Sequence, residues 1–176
     1  MIHQRLQDID EIYLRNMEVP DTDKIVEWRN KERVRRNFIY QDDFTVEGHL
    51  NWIETQVKTG HVVQFIICEK GTDKAVGSVY FRDIDRQKSC AEYGIFIGED
   101  DALGKGFGTK AAKLALSYAF EELGLSYVFL RVFEDNIGAI KSYEKAGFHI
   151  IEGKQEEITI DGNVRSMIFM DCRAAR

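Results

Sequence analysis

Three glycines at every second position, Gly104, Gly106 and Gly108, run straight into a helical pattern in the segment ALGKGFGTKAAKLALSYAF, residues 102–120. Phe107, Ala111, Leu114 and Tyr118 recur there at spacings of four, three and four, and Gly124 supplies a stop. The run CAEYGIFIG (90–98) precedes this segment, and the near-continuous apolar run SYVFLRVF (126–133) follows it. A strand, a glycine loop with its helix and a second strand form one unit. A right-handed crossover makes its two strands parallel. No other stretch constrains the fold as strongly. Glycines ahead of a helix also bring backbone N–H groups close to an anion.

The rest of the chain builds around that unit. EIYLRNMEV (11–19) alternates as a strand. PDTDKIVEWRNKERVRRNF (20–38) opens with proline and acidic residues, a helix start, and Ile25, Trp28 and Val34 form its apolar face. TVEGHLNWIETQVKTG (45–60) predicts a second helix, capped by Thr45, with Leu50, Ile53 and Val57 inward and Gly60 at its end. Residues 62–69 and 75–85 are β-rich runs that join 90–98 through short polar turns, an antiparallel meander. NIGAIKSYEKAGF (136–148) predicts a short helix between Asn136 and Gly147, and a hairpin turning at Asp161–Gly162 closes the chain. The expected architecture is a mixed, mostly antiparallel α/β sheet of about seven strands with helices on both faces.

With 176 residues, 44 % apolar, and no repeat or linker, the chain is expected to form one domain over residues 1–176. A net charge of −6 argues against a nucleic-acid partner. The N-terminal segment lacks an apolar leader and no run is long enough for a membrane helix, so a cytoplasmic location is expected. Cys68, Cys90 and Cys172 have no metal-ligand spacing, so no metal site is expected. An edge strand in the C-terminal hairpin leaves room for a homodimer, though nothing in the sequence requires one.

The glycine loop is not a P-loop, because GKGFGT does not fit G-x-x-x-x-G-K-[ST]. It is not a dinucleotide fingerprint either: the glycine spacing is wrong and three antiparallel strands come first. Two readings stay open on the loop alone. One is a pyrophosphate cradle made of the N–H groups of residues 104–109 and the helix dipole, assisted by Lys105 and Lys110. The other is a plain tight loop.

The loop and VFEDNIGAIKSYEKAGF (132–148), taken together, resemble the GCN5-related N-acetyltransferase (GNAT) superfamily. LGKGFG (103–108) is similar to its Q/R-x-x-G-x-G/A acyl-CoA loop, with Leu103 replacing the usual Gln or Arg. Asn136, Ala139, Tyr143, Gly147 and Phe148 follow its later pattern. The resemblance covers essentially the whole chain. It implies an acetyl-CoA-dependent N-acetyltransferase in which the fourth and fifth strands splay apart and the pantetheine arm pairs with the backbone of Ile95, Phe96 and Ile97. Leu103, Gly104, Lys105, Gly106, Phe107, Gly108 and Thr109 would hold the pyrophosphate, with Asn136, Ala139 and Lys141 contributing from the following helix. It places Tyr143 as proton donor to the leaving thiolate, with core packing as the alternative. Glu92 is the candidate general base or a solvated strand residue, and Lys141 and Arg131 are candidates for the 3′-phosphate.

Acceptor selection would lie in the two helices before the meander, where Trp28, Arg29, Tyr40, His49 and Trp52 stand out. Core packing for the tryptophans and surface pairing for Arg29 is the plainer reading. WRN followed by HLNW also resembles the N-acetyltransferases of nucleotide-linked amino sugars, in which Arg29 and His49 would hold the diphosphate. The general frame resembles ribosomal-protein N-terminal and spermidine acetyltransferases as well. The expected partner is thus a small-molecule or peptide amine. A CoA-binding regulatory module is the non-enzymatic alternative.

Overall fold

The computed structural model describes residues 7–176. Residues 1–6, which belong to the segment read above as lacking an apolar leader, lie outside the described residues. Eight strands form one mixed sheet: β1 (Gln7–Ile9), β2 (Ile12–Asn16), β3 (Val63–Glu69), β4 (Ala75–Asp85), β5 (Cys90–Ile97), β6 (Tyr127–Phe133), β7 (His149–Ile160) and β8 (Asn163–Arg173), in the order β1-β2-β3-β4-β5-β6-β8-β7. Every pairing is antiparallel except β5 with β6. The strand beyond the expected seven is β1, whose three residues are too few to show a period.

Alternation along β3 shows how the core is divided. Phe65 and Ile67 point into one cluster, with Val79, Phe81, Ala91 and Tyr93 and with Phe107, Ala111 and Ala115 of α4 (Phe107–Glu121). Ile66 and Cys68 point the other way, into a second cluster with Phe96 and with Ile25 and Trp28 of α1 (Thr22–Asn30). Strands buried on both faces read as continuous apolar runs, which is what β3 and its neighbours show.

The helix expected over 20–38 is broken. A 3-10 turn (Val19–Asp21) leads into α1, Lys31 is extended, and α2 (Glu32–Arg35) restarts the helix. Asn30 has a tertiary job at this break. Its side-chain nitrogen donates to the Phe44 carbonyl at 2.7 Å and its oxygen accepts from the Phe44 N–H at 2.8 Å, fastening the loop that leads to α3 (Val46–Trp52). Thr45 caps α3 as expected, its hydroxyl accepting from Gly48 N–H at 3.0 Å. The apolar face of α3 is offset from expectation. Leu50 is exposed and His49 takes the inward position, while Ile53 is buried in a following π-turn (Ile53–Val57).

Candidate functional site

β5 and β6 run side by side for three pairs only: Cys90 with Tyr127, Ala91 with Val128 and Glu92 with Phe129. Beyond them β5 stays on β4 as far as Ile97, while β6 stays on β8 as far as Phe133. The two parallel strands therefore diverge. Among the described residues β5 has no strand on that side from Tyr93 onward, and its backbone is an open edge. Arg33 of α2 closes the far end: its Nη1 donates to the Ile97 carbonyl at 2.9 Å and its Nη2 to Gly98 O at 3.1 Å. The Ile97 carbonyl is thus already engaged, which narrows the stretch open to a ligand strand to residues 93–96.

The glycine loop follows β5 directly. Gly104 (φ 73°) and Gly106 (φ 76°) are left-handed, a backbone region that L side chains rarely adopt. Gly106 caps α4 without a side chain. The first N–H groups of α4, from Phe107 to Thr109, have no intrahelical acceptors, so they and the positive end of the helix dipole suit an anion. The Phe107 ring is buried in the core, so only its backbone can serve a ligand. The same holds for Phe96, whose ring packs edge-on to Trp28 and Phe38. Lys105 lies 3.8 Å from Glu69, and Lys110 lies 3.2 Å from Glu11. Leu103 and Lys141 are exposed.

α5 (Ile137–Ala146) stands beside the loop. Asn136 caps it, its side-chain oxygen accepting from Ala139 N–H at 3.3 Å, and Thr109 Oγ1 meets Ser142 Oγ at 2.9 Å to tie α5 to α4. Gly147 ends α5 in the left-handed region, as expected. This geometry aims Tyr143 at β5. Its half-buried ring lies edge-on to Tyr93 and Phe148, with centroids 6.0 Å from each. Burial, with a smaller contribution from Tyr80, pushes its phenol well above the usual range, so the O–H is intact at neutral pH.

Glu92 lies at the base of the divergence and is buried. It accepts from Arg131 Nε at 2.7 Å and Nη2 at 3.4 Å, with Arg82 Nε 3.6 Å away. Arg131 also reaches Glu156 at 3.4 Å. Both residues are held in an ion-pair chain beneath the open edge.

The acceptor-side residues fare differently from one another. Trp28 is fully buried and presents no face to a ligand. Its indole N–H donates to Glu99 at 2.8 Å, and its ring covers Gly98, where a Cβ would lie 2.0 Å from Trp28 Cγ. Of the two readings of Trp28, acceptor contact and core packing, its burial fits packing. Trp52 is half-buried and donates to Gln64 at 3.3 Å. Tyr40 stands in solvent between α2 and α3. His49 is buried: its Nδ1 meets Thr22 Oγ1 at 2.9 Å, and its Nε2 has no hydrogen-bond partner. Burial, then the charge of Arg29, pushes its pKa down to about 4. It is therefore a neutral imidazole near pH 7, and toward the diphosphate that Arg29 and His49 were expected to hold it can offer a hydrogen bond but no charge.

Arg29 has no ion pair or hydrogen bond among the described residues. Its guanidinium lies 3.6 Å from the Phe38 ring centroid and 4.5 Å from that of Phe44, and its Nε is buried without a partner. Burial lowers its pKa, yet a guanidinium stays charged. Sequence reading missed Arg33 and Tyr80. Tyr80 faces Gly94 across β4 and β5, and only the strand register brings the two together.

An open strand edge leads into a glycine-lined helix N-terminus, with a phenol facing that edge, an arrangement that suits an extended ligand ending in an anion. Residues 11–149 match the family model of the acetyltransferase (GNAT) domain. The chain is 30 % identical over 159 residues to a probable N-acetyltransferase, YjcK, of Bacillus subtilis, covering 86 % of this chain and 87 % of that one. It is 37 % identical over 94 residues to spermidine N(1)-acetyltransferase of Escherichia coli, covering 53 % of this chain and 50 % of that protein. The structure of spermidine N-acetyltransferase from Vibrio cholerae in complex with CoA and spermine has the same fold, with a TM-score of 0.85 at 23 % identity over 93 % of this chain and 95 % of that one. The chain belongs to the GNAT acetyltransferase family and is an acetyl-CoA-dependent N-acetyltransferase. No helix among the described residues is long and apolar enough to cross a membrane.

Proposed function

We propose that the enzyme moves the acetyl group of acetyl-CoA by direct attack onto a primary amine whose remainder carries an anionic group, as a nucleotide-linked amino sugar does. The donor would lie along residues 93–96 of β5, with its pyrophosphate on the N–H groups of residues 104–109. Nitrogen attacks the thioester carbon, the N–C bond forms and the C–S bond breaks. The nitrogen loses one proton to solvent water, the sulfur gains one from Tyr143, and solvent returns a proton to the Tyr143 phenolate. Tyr143 is the proton donor to sulfur, and N–H groups of the open edge stabilise the oxyanion of the tetrahedral intermediate. Glu92 enters as the anchor of Arg131 rather than as the base, since Arg131 and Arg82 already face its oxygens.

The observation that carries the acceptor reading is Arg29, an aromatic-walled cation with no anion of its own. A half-buried guanidinium without a counter-charge is costly unless a ligand supplies one. A polyamine is the second reading, favoured by the 37 % identity to a spermidine acetyltransferase over about half of each chain. The whole chain acts as one domain in this proposal, and a homodimer would form through the outer edge of β7, which among the described residues pairs only with β8. A thiol-release assay with acetyl-CoA and a panel of spermidine, N-terminal peptides and a nucleotide-linked amino sugar tests it. Release that depends on the amino sugar supports the reading. Donor binding without release for any amine returns the chain to a CoA-binding module.

A further inference from the structure

The mechanism above uses one tyrosine, yet two reach the open edge, from opposite faces of the sheet. Tyr143 packs with the cluster under α4 and α5. Tyr80 packs with the cluster under α1 to α3. The Tyr80 ring does not stand upright on β4. It leans across β5 over Gly94, where a Cβ would lie 2.3 Å from Tyr80 Cζ and 2.5 Å from its Oη. Any other residue at position 94 would have to displace the ring. Gly94 is two residues past the last β5–β6 pair, so the phenol is held where the edge has just opened.

The chemistry of this phenol differs from that of its neighbour Tyr93. The Tyr93 hydroxyl is sealed in the core without a partner. The Tyr80 hydroxyl has no hydrogen-bond partner among the described residues, and it is not among the sealed atoms. Burial raises its pKa, so it stays a neutral phenol, which both donates and accepts. Arg29 is among the charges that act on it, and Tyr80 in turn acts on Tyr143. On the same face, the unpartnered Arg29 guanidinium lies 5.9 Å from the ring centroid of Phe96, two residues along β5 from the Gly94 that Tyr80 covers.

We propose that Tyr80 is a substrate-contacting residue whose phenol oxygen accepts a hydrogen bond from the attacking amine and so aims its lone pair at the thioester, with Gly94 keeping the path of the ring clear. This rests on the acetyl-transfer reading above. Tyr80 takes no proton. Nitrogen still loses one and sulfur still gains one.

Tyr80→Phe keeps the ring and removes only the hydroxyl. The assay uses the full chain, acetyl-CoA and whichever amine of the panel reacts fastest with the unaltered enzyme. The expected result is a loss in kcat/KM for the amine of roughly tenfold or more, with the calorimetric dissociation constant of CoA unchanged. Gly94→Ala, which displaces the ring with its hydroxyl intact, should also lower kcat/KM for the amine, and the double variant should lose little beyond the single ones. An amine kcat/KM within about twofold of the unaltered enzyme in Tyr80→Phe overturns the proposal. So does a loss matched by equally weakened CoA binding, or losses that simply add. If the unaltered enzyme acetylates no amine, the acetyl-transfer reading falls and this one with it. If it acetylates one and Tyr80→Phe does so equally well, only the role of Tyr80 falls.

Discussion

The proposed donor site on β5 is mostly backbone: the edge unpaired among the described residues at 93–96, the left-handed Gly104 and Gly106, and the first N–H groups of α4. The proposed acceptor site is instead a set of side chains carried by separate elements: Arg29 from α1, Phe38 and Phe44 from the segment after it, His49 from α3 and Tyr80 from β4. A backbone site recognises what every acyl-CoA shares and tolerates change at most of its positions. A side-chain site recognises one partner and can be altered by a single substitution. The two halves should therefore fail in different ways.

The sharpest way to separate them is Tyr143→Phe, which should lower turnover by roughly a hundredfold or more while leaving CoA affinity as it was, measured by thiol release and calorimetry. Unchanged turnover would make Tyr143 a packing residue.

A pH response should arise from the acceptor half. The folded pKa of His49 is depressed to about 4, against about 6.5 unfolded. Its contribution to stability is then fully present above pH 6.5 and is lost as pH falls through 4, because the unfolded chain binds the proton first. The loss is about 3 kcal/mol. Denaturant titrations between pH 7 and 4 should show it, and His49→Gln should flatten it. The same slope in the variant would place the titrating group elsewhere.

Arg29→Met removes a cation from an aromatic clamp. Acceptor kcat/KM should fall by roughly tenfold, while stability holds or rises by about 1 kcal/mol. Gly106→Ala is the donor-side counterpart. It forces a Cβ into a left-handed residue at a cost of about 1 kcal/mol and should weaken CoA binding without changing acceptor preference. If either substitution affects both substrates alike, the division into halves is wrong.

The same division explains what could be read from the sequence. The donor half is local: loop, helix start, Asn136 cap and Gly147 stop all lie within continuous segments, and glycine at a required φ leaves a visible mark. The divergence of β5 and β6 followed from family resemblance, since an unpaired edge needs no particular side chain. The acceptor half is tertiary. Trp28 could be read either as core or as an acceptor contact because large aromatics serve ligands and cores alike, and only packing on Gly98 decides between them. Leu50 and His49 exchanged faces because the helical period locates a stripe to within a residue, not more. Tyr80 was passed over because its partner Gly94 lies on the neighbouring strand. Arg33 was one charge among several in a basic run, and nothing local marked it as the clamp on Ile97.

In the proposed function an unpartnered cation on the acceptor face, Arg29, selects an amine that carries an anion. The direct test is the ratio of kcat/KM for a nucleotide-linked amino sugar to that for spermidine, in the unaltered enzyme and in Arg29→Met. The structure predicts a ratio above roughly ten that collapses toward one in the variant. Preference for spermidine in the unaltered enzyme, or a ratio indifferent to Arg29, would contradict it.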